Sequence, residues 1–396
     1  MGTKVGVGYS FHRNPAEGGK MASLKAMEQA DIDKPDFVFV FATVGYNQQI
    51  LIDSINDITS GAPLSGCSGE GIITQDVISE TNFGVAVMVL KSDELRFGNF
   101  YATEIENRLD IAGERLAAEF KPFLAAEPVA CLIFADGLIF NFDIFMTTFE
   151  KALPNGRKPP ILGGMAADNW ATRKTYQYHN EKVFSGGISC VAISGRGEII
   201  CGVNHGCVPV GRKHTITRSK GNVIYEIDGT PALKAMQDFF EEDWQEYWNK
   251  TSINLCLGFK TPERIRCNYE EYVVRYMITK NEQEGSVTIQ SDVREGTDLW
   301  MVRRDNELIM SGLQKLARRL KDELGARKPK FIMQFECAGR GKVFLRERVK
   351  IELITSLQRD MGCDIPWIGF YGYGEIGPVA DKNCFHNFTT VVSVFY

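Results

Sequence analysis

The chain has 396 residues, 44% of them hydrophobic and 24% charged, with a formal net charge of −5 at pH 7. That is enough chain for roughly two or three domains and more than one sizeable core. Lys and Arg are scattered, which excludes the basic stripe of a nucleic-acid-binding protein. No run of about 18 apolar residues occurs, and the opening Met1-Gly2-Thr3-Lys4-Val5-Gly6 has neither a signal-peptide core nor a myristoylation signal. The expectation is a cytoplasmic protein with no nucleic-acid and no membrane partner.

In chain order, an irregular pattern is read three times. The first copy opens with the apolar run Phe37 to Thr43, whose length and composition suit a strand buried on both faces. A helical stretch follows from about Gln48 to Ser60, and Gly61-Ala62-Pro63 then leads to Leu64-Ser65-Gly66-Cys67-Ser68-Gly69. The second copy opens at Ala130 to Gly137, continues with a helix from about Phe142 to Leu153, and reaches Ile161-Leu162-Gly163-Gly164-Met165-Ala166 through Pro159-Pro160. The third opens at Phe331 to Arg340, has a helix from about Arg346 to Met361, and passes Pro366 to Trp367-Ile368-Gly369-Phe370-Tyr371-Gly372.

An apolar stretch closes each copy: Phe83 to Leu90, Gly186 to Ile193 and Phe388 to Tyr396. Two strands joined through a helix should run parallel, with a right-handed crossover. The closing stretch, close in sequence, should return antiparallel. The fold class expected is α+β: mixed β-sheets built from repeated β-α-β-β units and covered by helices in layers. Between the second and third copies the text changes. Residues 205 to 228 are rich in Gly, Pro, Thr and Lys. A helix is expected from Pro231 to Trp248, with Thr230 as N-cap and Pro231 at the first helical position. Alternating segments follow at Tyr272 to Ile278, Ser286 to Gln290 and Asp298 to Arg303. A boundary near residue 228 divides the chain into domains 1–228 and 229–396.

Ligands favour loops beyond the carboxyl ends of parallel strands. Those loops hold Thr43-Val44-Gly45, Asp136-Gly137 and Cys337-Ala338-Gly339-Arg340-Gly341-Lys342, and the glycine turns add Cys67-Ser68, Gly164 to Asp168 and Tyr373-Gly374-Glu375. Backbone N–H groups in such turns can cradle an anion. Arg340 can clamp a carboxylate through its fork, or serve as a structural ion pair. Asp168 or Glu375 can hold a cationic end, with Phe370 and Tyr373 as apolar walls.

Other chemistries are weaker. Ten cysteines form no C-x-x-C pair, so zinc spacing is absent and a reducing compartment fits. Arg340 and Lys342 near Cys337 favour its thiolate while Glu336 opposes it, and no histidine lies nearby in sequence. There is no G-x-S-x-G, no H-E-x-x-H and no phosphate-binding glycine loop. His205 and Cys207 could each ligate a haem iron, non-covalently because no C-x-x-C-H exists.

These motifs resemble the FIST family, of F-box and intracellular signal transduction proteins. The resemblance rests on Gly66-Cys67-Ser68, on Pro160 to Asp168, on Gly206-Cys207-Val208-Pro209-Val210-Gly211 and on Ile227 to Leu233. Cys337-Ala338-Gly339-Arg340-Gly341 and the most specific segment, Gly369 to Pro378, complete it. Together they span nearly the whole chain in the family's order. The resemblance implies an N-terminal and a C-terminal FIST part and a sensory, non-enzymatic role. It further implies a small-molecule ligand such as an amino acid, with output through a separate partner such as a signalling kinase. It also allows a haem-based nitric oxide sensor, for which His205 is the first candidate axial ligand and His386 the second. The chain departs from the family pattern by placing His205 before Gly206-Cys207. The candidate ligand-binding set is Cys67, Ser68, Gly164, Asp168, Cys337, Arg340, Phe370, Tyr373 and Glu375.

Overall fold

The computed structural model describes residues 2–124, 128–153, 159–240, 244–266 and 269–396; Cys267 and the stretch 241–243 of the expected 231–248 helix lie outside them. The first repeat runs β1 (Thr3–Ser10), α1 (Pro15–Ala30), β2 (Phe37–Thr43), α2 (Gln48–Ile58), β3 (Leu64–Gly69), the hairpin β4 (Gly71–Thr74) and β5 (Ile78–Ser79), and β6 (Val85–Ser92). The second runs β7 (Leu95–Ala102), α3 (Leu109–Leu124), β8 (Pro128–Ala135), α4 (Phe142–Ala152), β9 (Ile161–Met165), the hairpin β10 (Gln177–His179) and β11 (Lys182–Phe184), and β12 (Ile188–Gly195).

The third repeat starts with β13 (Ile199–Asn204) and is then interrupted. The insertion holds β14 (Cys207–Lys220), β15 (Val223–Ile227), β16 (Thr230–Pro231), α5 (Ala232–Met236), α6 (Trp248–Asn254), β17 (Leu255–Lys260) and α7 (Glu263–Arg266). It ends with β18 (Tyr272–Arg275), β19 (Met277–Asn281), β20 (Ser286–Ile289) and β21 (Asp298–Arg304). The repeat resumes as α8 (Asn306–Leu324), β22 (Phe331–Cys337), α9 (Glu347–Met361), β23 (Trp367–Gly372), the hairpin β24 (Glu375–Val379) and β25 (Lys382–His386), and β26 (Thr390–Phe395).

The expected α+β class is what the structure has. In each repeat the helix-linked pair is parallel (β2 with β3, β8 with β9, β22 with β23), and the closing strand returns antiparallel against the first of that pair. The recurring glycine has a steric cause. A Cβ on Gly66 would stand 1.8 Å from the Val40 carbonyl oxygen, and one on Gly163 would stand 2.0 Å from that of Ile133. The third copy repeats this, with 1.9 Å from Gly369 to the Gln334 oxygen. Contacts that short exclude any side chain.

Two features were not expected. Each repeat begins with a further strand and helix, and each lends its hairpin to another repeat. β4–β5 adds to the third repeat's sheet beside β23, β10–β11 to the first's beside β3, and β24–β25 to the second's beside β9. Three six-stranded sheets result, each with the same strand order and each completed by a neighbour's hairpin. The insertion forms a separate eight-stranded sheet.

The fully buried strands alternate between two cores. Phe37, Phe39 and Phe41 face inward with Leu132, Phe134, Met333 and Phe335 into a shared centre. Val38, Val40 and Ala42 face outward under α1 and α2. Cys131, Ile133 and Ala135 do the same under α3 and α4. At the centre, the Phe41 and Phe370 rings lie 4.6 Å apart and the Phe41 and Phe134 rings 5.2 Å. Edge and tilted pairings of this kind add to the stabilisation from burial itself.

The expected helix from Pro231 is a correction. Thr230–Pro231 is a short strand paired with β15, and the helix spans Ala232–Met236. A single 3-10 turn follows at Gln237–Phe239, after which Phe240 is extended. Phe240 packs instead with Trp244 and Trp248, at centroid distances of 4.9 and 6.0 Å, so aromatic clustering overrides helical continuity.

Replacing Phe134 with Ala should cost about 3–5 kcal/mol, read from urea denaturation followed by tryptophan fluorescence. Leu24→Ala, at a position 48% exposed on α1, should cost no more than about 0.5 kcal/mol.

Candidate functional site

At the carboxyl ends of β8, β22 and β23 lies a cavity of about 590 Å³, of a size that suits a small organic ligand. The second repeat supplies the loop 137–141 together with Trp170 and Thr172. The third supplies Cys337, Ala338, Gly339, Gly372, Tyr373 and the pair Asn387-Phe388. The insertion covers it with Asn222, Asn249, Tyr276, Ile278 and Gln290.

Buried polar groups hold each wall. Asp136 accepts hydrogen bonds from Leu138 N (2.9 Å), Gly186 N (3.0 Å) and Thr175 Oγ1 (2.7 Å), which fixes the loop after β8. Asn141 caps α4 by accepting from Ile144 N at 3.1 Å. The turn after β22 is held by two buried guanidiniums. Arg304 donates to the Gly339 carbonyl at 2.5 Å, and Arg340 donates to Glu336 Oε1 at 2.5 Å and to the carbonyls of Asn204 and His205. Gln290 Nε2 donates to the Tyr373 carbonyl at 3.2 Å, and Asn387 Nδ2 donates to Gln290 Oε1, tying the inserted sheet to the third repeat.

Tyr373 links the cavity to a carboxylate pair. Its ring lines the cavity, while its Oη lies 2.7 Å from Asp168 Oδ1 and 2.9 Å from Glu70 Oε1 and accepts from Trp170 N at 2.8 Å. Burial works to raise the Asp168 carboxyl. The N–H groups of Arg173 and Lys174 and the Tyr373 hydroxyl outweigh it and hold the group below the usual range. Glu70 differs. Burial pushes it up to about 7, only partly offset by Trp170 N–H, the Tyr373 hydroxyl and Lys342, whose Nζ is 3.9 Å away. Asn169, Trp170 and Thr172 all adopt left-handed backbone, with φ of 60°, 58° and 50°. Asp168 bonding to N–H groups from Thr172 to Lys174 holds that strained loop in place.

The candidate residues separate into three groups. Cys337 and Tyr373 line the cavity, and Asp168 reaches it through Tyr373. Arg340 and Glu375 stand behind the wall. Arg340 is fully buried and its charge is matched by Glu336, so it serves as the structural ion pair rather than a clamp facing the cavity. Glu375 accepts from Thr389 Oγ1 at 2.7 Å, and burial pushes its carboxyl well above the usual range. Cys67, Ser68, Gly164 and Phe370 lie at the joints between repeats. Cys67 and Phe370 sit in the central core, Ser68 Oγ donates to the Ala167 carbonyl at 2.7 Å, and Gly164 pairs with Glu375. The first repeat's bends therefore contribute no wall to the cavity. Asn222, Asn249, Gln290, Asn387 and Trp170 escaped the sequence reading, because a lone amide or a lone Trp outside any motif carries no local signature.

Both candidate axial histidines are already engaged. His205 Nε2 faces the Tyr272 carbonyl at 2.7 Å and its Nδ1 accepts from Cys207 N at 2.8 Å. His386 Nε2 faces the Gly377 carbonyl at 3.0 Å and its Nδ1 is 3.3 Å from Tyr269 Oη. A ring whose second nitrogen already accepts a hydrogen bond has no free lone pair for iron. Burial also pushes the Cys207 thiol up to about 12. These residues, as arranged, do not fit haem ligation. Among the described residues no cluster of His, Cys, Asp or Glu is placed to hold a metal ion, and none of their helices is long and apolar enough to cross a membrane.

The FIST N domain matches residues 36–230 and the FIST C domain residues 232–378. This chain belongs to the FIST family. FIST domains are sensory and bind small ligands. An uncharacterized Mycobacterium tuberculosis protein is 22% identical to this FIST chain over 395 residues, 99% of both chains. One from Mycobacterium bovis is 26% identical over 240 residues, 59% of this chain and 60% of that one. Among solved structures a chorismatase aligns over 100% of this chain and 99% of its own, at 10% identity and a TM-score of 0.37. No chemistry transfers at that depth.

Because Glu70 is neutral more readily in the folded state than in the unfolded chain, its contribution to stability is fully present below about pH 4.5 and is lost as pH rises toward 7. Glu70→Gln keeps an acceptor for Trp170 N–H and removes the titration. The variant should lose less melting temperature than the parent between pH 5 and pH 8, as read by thermal denaturation.

Proposed function

We propose that this FIST protein is a non-enzymatic sensory module whose small-molecule ligand occupies the cavity between the second repeat, the third repeat and the inserted sheet. One observation carries the reading: segments distant in sequence, from Gly137 to Phe388, line one hollow roofed by a separately folded sheet. An occupant would bridge all three bodies, so binding would change how firmly the insertion is held. Such coupling suits a sensor, in which ligand free energy biases the relation between parts. Output then passes to a separate protein, a signalling kinase being the class offered by the family resemblance.

The thiol at the cavity supports a binding role. Burial pushes Cys337 well above the usual range and the neighbouring Glu375 adds to this, against N–H groups from Gly339 and Phe388. A thiol held neutral is a poor nucleophile. Iodoacetamide at pH 7 should label the exposed Cys363 well before Cys337, as read by peptide mass spectrometry. Faster labelling of Cys337 would favour thiol chemistry instead.

Native mass spectrometry of the full chain, followed by thermal denaturation against a panel of small metabolites, tests the binding role. A saturating compound at 100 times its Kd should stabilise the fold by about 2.7 kcal/mol. Ile278→Trp, at a cavity-lining position 39% exposed, should fill the hollow and cancel that gain. A gain that survives in this variant, or none from any compound, would count against the reading.

A further inference from the structure

The cavity wall has a chemical bias. No Asp, Glu, Lys, Arg or His lines it among the described residues. Five carboxamides do: Asn141, Asn222, Asn249, Gln290 and Asn387. A second cavity, of about 370 Å³ beside His386, is bordered instead by Lys260, Arg275, Asp292, Arg294 and Lys382. Neutrality is therefore a property of this hollow and not of the surface around it.

Several wall groups retain hydrogen-bonding capacity. Asn141 uses its oxygen to cap α4, which leaves its amide N–H groups. Asn222 donates to the Ile289 carbonyl at 2.9 Å, which leaves its oxygen. Asn387 donates to Gln290 and accepts from Tyr276 N at 3.1 Å, so that pair is held in a fixed orientation. Trp170 Nε1 is buried and has no partner among the described residues. Between these groups stand the rings of Phe140, Trp170, Tyr276, Tyr373 and Phe388.

We infer that the ligand is an uncharged, ring-bearing compound with adjacent donors and acceptors: a cyclic amide, an imide or an amide-substituted heteroaromatic. This rests on the binding role proposed for the same cavity. A carboxylate or ammonium placed here would leave water and meet no charged side chain in the wall itself, which is costly in a walled cavity. An amide loses little, because carboxamide walls return each donor and acceptor it gives up. Aromatic walls supply flat apolar area for the ring. The free amino acid, with two charges, is the ligand this wall matches least.

Matched pairs differing only in charge test the inference: nicotinamide against nicotinate, and indole-3-acetamide against indole-3-acetate. Each is titrated against the full chain at pH 7.5 by saturation-transfer NMR. The amide of a pair should bind at least ~10-fold more tightly than its carboxylate, the range expected when a buried charge lacks a partner. Gln290→Lys should reverse the preference by supplying a cation. Ile278→Trp should remove binding of both. A carboxylate that binds the parent as tightly as its amide, or failure of both amides to bind, overturns the neutral-ligand inference. Carboxylate binding that matches or exceeds the amide's in the parent and is lost in Ile278→Trp overturns the ligand class and leaves the cavity's binding role standing. Binding of any probe that ignores Ile278→Trp overturns both.

Discussion

Everything in this fold depends on a single aromatic centre that no repeat can build alone. Phe41, Phe134, Phe335 and Phe370 come from three sheets, and the Phe134 and Phe335 centroids are 6.2 Å apart. Each sheet is apolar on both faces, so each must be covered twice: by its own helices outside and by the other sheets inside. The exchanged hairpins are consistent with this demand. By completing a neighbour's sheet, each ties its own repeat into the shared core and pairs strand groups that would otherwise stand open.

The candidate site follows from breaking that threefold pattern. Three similar joints exist between repeats, but only the third repeat is interrupted by an insertion. The inserted sheet covers the joint between the second and third repeats, and its Gln290 and Asn222 face loops that the repeat geometry had already opened. Tyr373 then connects this covered joint to Glu70, which sits where the first repeat's hairpin departs. The cavity wall and the seam between repeats thus share one side chain.

Much of the scaffold was legible in the sequence. Phe37 to Thr43 and Phe331 to Cys337 read as buried strands because all their residues are buried, and the helices after them showed ordinary amphipathic spacing. The opening strand and helix of the first repeat were illegible for a physical reason. Helix α1 buries Gly18, Gly19, Ala22, Ser23 and Ala26, with little hydrophobic contrast between its faces. It lies so close to β1 that a Cβ on Gly8 would stand 2.0 Å from the Ala22 carbonyl oxygen. Small residues at a tight contact leave no hydrophobic period to read. The hairpin exchange was equally hidden, since Ile72 and Ile73 look the same whichever sheet they join. At the site, Cys337 and Tyr373 were found because they follow buried strands, whereas sequence left Arg340 open between a clamp and an ion pair, and only its burial against Glu336 separates the two. The amides of the insertion could be placed only by tertiary structure.

The lending of hairpins also sets an order for biosynthesis. The hairpin Gly71–Ser79 emerges early, yet the strand it pairs with ends at Gly372. β13 likewise waits for β26, with Ile199 opposite Phe395. While the ribosome is still adding the last quarter of the chain, these apolar segments have no native partner. Pairings this distant in sequence slow folding and lengthen the exposure of sticky strand edges. The fold can close only once β23 and β26 have emerged, so the early strands' open edges, and with them the demand for chaperones, persist until those distant partners are available.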